Sequence, residues 1–150
     1  YWYQQLIAES LGKKNQGFLP VISNAPKDHH SLLQLYLDGP KNKIFNIVSV
    51  EEKSKEKINL KKTINANNFL DQKYLSSVKK AQKNALIKAL IQNNIPFREF
   101  KIKNFSENTL GEFFSYFMLE TAIIGKLANI DPFNQPAVQK VKIDTKKLLV

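Results

Sequence analysis

Carboxylate, imidazole, ammonium and amide groups stand in this chain where acid/base chemistry on a small polar substrate would use them, and thiols play no part. There are no cysteines, which excludes a disulfide scaffold, a zinc ribbon, an iron–sulfur site and a cysteine nucleophile together. The two histidines, His29 and His30, are adjacent, and neighbours on a helix do not face one another, so they leave little for a metal site. Glu9, in a stretch patterned as a helix, projects about 20° from Trp2 at 100° per residue, which is the margin of the apolar arc. Partial loss of water makes a carboxylate a stronger base, which suits proton abstraction; an ordinary glutamate bordering a buried stripe fits the same position.

His29 and His30 fall in the first turn of a helix that Asp28 is placed to cap. The positive end of a helix dipole disfavours an imidazolium there, and a neutral ring can both give and take a proton. A surface or capping histidine would look the same. Lys142 lies about 40° from Val138 on a helix whose apolar arc also includes Val141, Thr145, Leu148 and Leu149. Such a lysine either snorkels its ammonium to water or supplies a cation near a helix amino terminus, with Gln135 beside it as a neutral donor.

The 150 residues, 43% of them apolar, are enough for one ordinary domain with a core, or for a piece of a larger protein. The net charge of +10 invites a nucleic-acid reading. Its make-up argues against one, because 22 of the 23 cations are lysine and only Arg98 offers the planar fork favoured for phosphate and base recognition. With 15 asparagines spread alongside the lysines, the charge reads as a compositional habit rather than a binding stripe. No run approaches the roughly 18 to 20 apolar residues of a membrane span, and no signal-like segment opens the chain, so a soluble, cytoplasmic protein is expected. Tyr1 is not a methionine, and no capping residue precedes Trp2, so the chain is expected to be cut from something longer.

Helix and strand patterns alternate from there. Phe18 to Ile22 reads as a short strand interrupted by Pro20, and Asp28 to Leu37 as a helix stopped by Asp38-Gly39-Pro40. Ile44 to Val50 reads as a strand buried on both faces, and the lysine-rich span from Glu51 to Lys62 as an edge or mobile segment. Phe69 to Asn93 is predicted helical, with Val78, Ala81, Ala85, Leu86, Ala89 and Leu90 on one stripe, and Ile95-Pro96 ends it. Phe97 to Ile102 alternates as an outer strand. Leu110 to Leu127, apolar on nearly every side, is predicted to be the central and most buried helix, opened by a capping box of Thr109 and Glu112. A turn from Asn129 to Gln135 leads to a last helix beginning at Pro136. The order implies an α/β fold with a largely parallel sheet flanked by helices, which binds ligands at strand carboxyl ends and helix amino termini.

Three segments then carry a resemblance. Asp131-Pro132-Phe133-Asn134-Gln135-Pro136-Ala137-Val138-Gln139-Lys140-Val141-Lys142 resembles the carboxy-terminal signature of the glucose-6-phosphate isomerase family, with the rarer choices Asn134, Ala137 and Gln139. Tyr1 to Gly12 is similar to the family's segment around its catalytic glutamate. Asp28-His29-His30-Ser31 and the residues to Pro40 resemble the segment bearing its catalytic histidine. The motifs run in the family's order, with gaps of 21 and 112 residues between Glu9, His30 and Lys142.

The resemblance implies a role for each matched residue. Glu9 corresponds to the base that moves a proton between C2 and C1 through a cis-enediol, His30 to the group that helps open the sugar ring, Lys142 to the lysine at the ring oxygen, and Gln135 to a glutamine near the substrate phosphate. His29 receives no role. It further implies a flavodoxin-like build of two sugar-isomerase (SIS) domains, a homodimer, a sugar-phosphate substrate and no cofactor or metal. The family's Ser/Thr-rich phosphate loop and its Gly-Gly-Arg segment have no match here. The chain is therefore expected to be a single carboxy-terminal SIS portion, residues 1–150, holding acid/base residues without the phosphate grip. A non-catalytic sugar-phosphate-binding module and a basic nucleic-acid binder are the other two readings.

Overall fold

Tyr3, Ile7 and Leu11 recur every four residues and form one side of α1 (Trp2–Leu11). The computed structural model describes residues 1–51, 53–60 and 69–149. These fall into two compact units, Tyr1–Ile22 with Ser106–Val150, and Ser23–Phe105.

In the first unit, α1 packs on α5 (Glu107–Leu127). Ile7, Leu11 and Phe117 are almost fully buried there, and each burial stabilises by roughly 1.5–3 kcal/mol. Trp2 stacks on Phe114 at 4.5 Å between ring centres and Tyr3 on Phe117 at 4.0 Å. Tyr3 also donates its hydroxyl to Glu120 Oε2 at 3.4 Å. The expectation that α5 would be the most buried helix is corrected: Phe117, Thr121 and Gly125, four residues apart, are its buried stripe, while Leu119, Ile123 and Leu127 are exposed. An all-round apolar sequence reports what could be covered, and one stripe is covered by α1. The start of α5 also differs. Ser106 is the N-cap, its hydroxyl accepting from the Thr109 N–H at 3.3 Å, so Thr109 is the third helical residue and its pairing with Glu112 is no capping box. The last helix, α6 (Pro136–Leu148), does begin at Pro136, whose missing N–H costs nothing in a first turn.

The second unit holds α2 (Lys27–Ser31), α3 (Leu33–Asp38), β1 (Phe45–Val50), α4 (Leu75–Gln92) and β2 (Phe97–Ile102). The strands pair in parallel, Phe45 opposite Phe97 through Val50 opposite Ile102, with α4 in the connection that parallel strands require. The α/β class with a parallel sheet and flanking helices is thus observed. Lys83 on α4 donates to Glu99 on β2 at 2.7 Å, and Lys101 approaches the other oxygen at 3.3 Å. The Lys83 hydrogen bond holds the Glu99 carboxyl below its ordinary value, against the opposing effect of desolvation and with help from Lys101.

Four further expectations are corrected. Residues 18–22 form no strand: Leu19 and Val21 are exposed, and Pro20 removes a backbone donor from so short a run. The helix expected from Asp28 to Leu37 is two short ones broken at Leu32, and Pro26, not Asp28, is the N-cap. Asp28 sits inside the first turn and accepts from the backbone N–H of Asn24 at 2.6 Å. α4 starts at Leu75 rather than Phe69, behind an extended Tyr74. β1 is not buried on both faces, since Val48 is 49% and Val50 37% exposed. Of the Glu51–Lys62 span, Glu52, Lys61 and Lys62 lie outside the described residues.

Candidate active site

Glu9 lies in the last turn of α1, between buried Ile7 and buried Ser10 and Leu11, so the backbone beneath it is anchored while its own side chain is half-buried. Both carboxylate oxygens are engaged. Gln5, one turn earlier on the same helix, donates its Nε2 to Oε1 at 3.0 Å. Gln135, 126 residues away in sequence, donates its Nε2 to Oε2 at 2.7 Å. An ionised carboxylate only accepts hydrogen bonds, so two amide donors match its base form.

What delivers Gln135 to Glu9 is the end of α5. Asn129 takes a left-handed conformation at φ 54°, the Ile130 N–H bonds back to the Gly125 carbonyl at 2.8 Å, and the Asn129 N–H bonds to that of Lys126 at 3.2 Å. Together these form a Schellman motif, which satisfies the last carbonyls of the helix and turns the chain. Pro132 then lies close over Gly125, where a Cβ would meet its ring carbons at 3.1 Å. Asp131 closes the turn, accepting the Phe133 N–H at 2.9 Å and the Asn134 amide at 2.7 Å. Two lysines just past α1 hold the turn from the other side: Lys13 Nζ donates to the Asp131 carbonyl at 2.5 Å and Lys14 Nζ to that of Asn129 at 3.0 Å. Gln135 emerges as the residue capping α6, and a cleft of about 440 Å³ opens beside it, lined by Phe133, Asn134, Gln135, Pro136 and Gln139.

Lys142 is seven residues further along α6, roughly 10 Å by helical rise. It therefore stands well beyond the first turn. Like the rest of α6 it is exposed, so no buried surface adjoins it among the described residues. His30 belongs to the second unit and is exposed on α2. That helix has five residues, so the dipole expected to act on its histidines is very small. His29 Nε2 is buried and finds no hydrogen-bond partner among the described residues. Among those residues no group of three or more His, Cys, Asp or Glu could hold a metal, and no helix is long and apolar enough to cross a membrane.

Sequence reasoning placed Glu9 and Gln135 as separate candidates; the bond between them was not foreseen. It missed Gln5, although four-residue spacing on a helix was the available signal. Lys13 and Lys14 left no such sign, because their acceptors are backbone carbonyls more than a hundred residues away.

Comparison with known proteins bears on these residues. The glucose-6-phosphate isomerase of Methanocaldococcus jannaschii is 35% identical over 144 residues, covering 94% of this chain and 35% of the relative. That of Campylobacter jejuni is 33% identical over 162 residues, covering 99% of this chain and 38% of the relative. The chain is homologous to about a third of a glucose-6-phosphate isomerase. It spans about a third of the length of the curated relatives it matches. Among solved structures, a hypothetical protein of Thermus thermophilus superposes with a TM-score of 0.88 at 30% identity, over 99% of this chain and 37% of that one. No family model matches. The homology covers all three segments that resemble the isomerase family.

Proposed function

We propose that this chain is the carboxy-terminal SIS portion of a cytoplasmic glucose-6-phosphate isomerase that interconverts glucose 6-phosphate and fructose 6-phosphate in glycolysis and gluconeogenesis, acting as a homodimer. The observation that carries the reading is the 2.7 Å hydrogen bond between Glu9 and Gln135: two residues matched independently to the family's base and to its phosphate-side glutamine meet across 126 residues of chain. In this reading the Glu9 carboxylate takes the proton from C2 of the open-chain aldose. The C–H electron pair becomes the C1–C2 double bond, the carbonyl pair goes to O1, which is protonated, and the enediol collapses with loss of the O2 proton as Glu9 returns its proton to C1. His30 and Lys142 act earlier, passing protons to and from the ring oxygen as the hexose opens, and Gln135 faces the phosphate side of the substrate.

Anchoring of the phosphate and stabilisation of the enediolate are assigned to parts of the family with no counterpart here, so the isolated 150 residues turn over substrate at a small fraction of a complete isomerase. The test is to assay the purified chain and a hybrid in which it replaces the matching segment of the Methanocaldococcus jannaschii isomerase. The hybrid is expected to be active and the chain alone nearly inactive. Glu9→Gln in the hybrid should cost about 10²- to 10⁴-fold in rate, the usual loss of a general base. A folded hybrid with no activity, or a Glu9→Gln hybrid that keeps its rate, would overturn the assignment. Retained sugar-phosphate affinity without proton exchange at C2 would make it a binding module instead.

A further inference from the structure

We propose that Lys13 and Lys14 are positioning residues for Gln135, acting as a two-ammonium latch that fixes the 129–135 turn against the end of α1 and so holds the Gln135 amide on Glu9. The proposal rests on the reading of Glu9 as the base. The backbone at the latch is unusual. Lys14 and Asn15 are both left-handed, at φ 52° and 59°, and the Gln16 N–H bonds to the Lys13 carbonyl at 2.9 Å, which is the pattern of a type I′ turn. Asparagine suits such a position, whereas a lysine there has its Cβ crowded against the carbonyl oxygen that follows, a strain that persists only where the surroundings compensate for it. The compensation is visible. Lys14 Nζ donates to the Asn129 carbonyl at 3.0 Å, and Lys13 Nζ to the Asp131 carbonyl at 2.5 Å. Both ammonium groups thus meet the segment just past the carboxyl end of the 21-residue α5, where the helix dipole favours a cation. One such bond would leave the turn free to pivot about a single carbonyl; two, onto carbonyls two residues apart, fix its direction. Gln135 lies four residues beyond Asp131, and it meets Glu9 four residues before Lys13. The base and its amide donor are therefore joined in a closed loop: α1 leads to Lys13, Lys13 bonds to Asp131, the turn leads to Gln135, and Gln135 returns to Glu9. A general base gains from such restraint because its reach to the reacting carbon depends on small displacements.

The experiment has two arms. In the isotopically labelled 150-residue chain, Lys13→Met, which keeps the apolar stem and removes the donor, is expected to shift the Gln135 side-chain amide resonances while the backbone spectrum stays folded. Lys13→Arg, which restores a charged donor, is expected to bring them back toward the wild-type position. Lys14→Gly frees the left-handed turn of strain and removes only the ammonium, and it is expected to shift the same resonances. Gln135 signals unmoved in either Lys13→Met or Lys14→Gly would overturn the latch, whatever the protein's activity. In the isomerase hybrid, Lys13→Met is expected to lower kcat about fivefold, and to lower it no further in a hybrid already carrying Gln135→Met, because a residue that acts through an amide has no effect once that amide is gone. Equal losses in the two backgrounds would show that Lys13 supports the fold independently of Gln135, and would overturn the proposal. A wild-type hybrid without activity would fault the isomerase reading, and the resonance arm would still decide whether the latch exists.

Discussion

The two longest helices end with the same device and then deliver the chain to different ends. At the close of α4, Asn94 is left-handed at φ 52°, the Ile95 N–H returns to the Leu90 carbonyl at 2.9 Å, and that of Asn94 returns to Ile91 at 3.1 Å. At the close of α5, Asn129 and Ile130 repeat these bonds onto Lys126 and Gly125. Both isoleucines are 5% exposed. The difference lies three residues before each cap. Leu90 is wholly buried, and the chain leaves through Pro96 into β2. Gly125 has no side chain, so Pro132 lies close over it and the chain folds back to bring Gln135 onto Glu9. A shared local stop signal therefore does not by itself set the exit path.

The largest effect expected of breaking this contrast is Leu90→Ala. Removing a fully buried leucine side chain should cost roughly 2–5 kcal/mol, measured by urea or thermal unfolding. A smaller loss, on the order of 1–3 kcal/mol, is expected from Gly125→Val, whose side chain must displace Pro132. Its diagnostic consequence is loss of the Gln135–Glu9 contact, read as a shift of the Gln135 side-chain amide; an unchanged signal would mean that the glycine does not govern the turn.

The smallest effect is electrostatic. β2, reached from the first helix end, is tied to α4 by the Lys83–Glu99 pair, whereas the turn after α5 is held by lysines on backbone carbonyls that do not titrate. Glu99 has its carboxyl pKa lowered on folding, so its stabilising contribution is complete above the ordinary value of 4.5 and is lost as pH falls through the lower folded value. A partly exposed pair contributes at most about 1 kcal/mol. Protection factors of the β2 amides, with the intrinsic pH dependence of exchange divided out, should fall with acid in the wild type, and Glu99→Gln should remove that fall without altering protection in the 129–135 turn.

Much of this was legible in advance. The parallel α/β order, both strands that pair, the helix stop ahead of Ile95-Pro96 and the start at Pro136 follow from periodicity and from residues with restricted backbone conformations. The cap of α5 was misplaced because Thr109-x-x-Glu112 and Ser106-x-x-Thr109 overlap, and the earlier hydroxyl adds a further turn of helix. The strand at 18–22 was misread because an apolar run without a partner looks the same on paper as one with a partner.

Sequence by itself determined which groups could do chemistry and where helices stop, because both are properties of a residue and its near neighbours. The tertiary structure decided which of those groups meet. Gln135 reaches Glu9 because a glycine three residues before a cap lets a proline approach and two lysines on another segment hold the turn. The lysine and glutamine contacts join residues more than a hundred positions apart, and local periodicity carries no record of such distances.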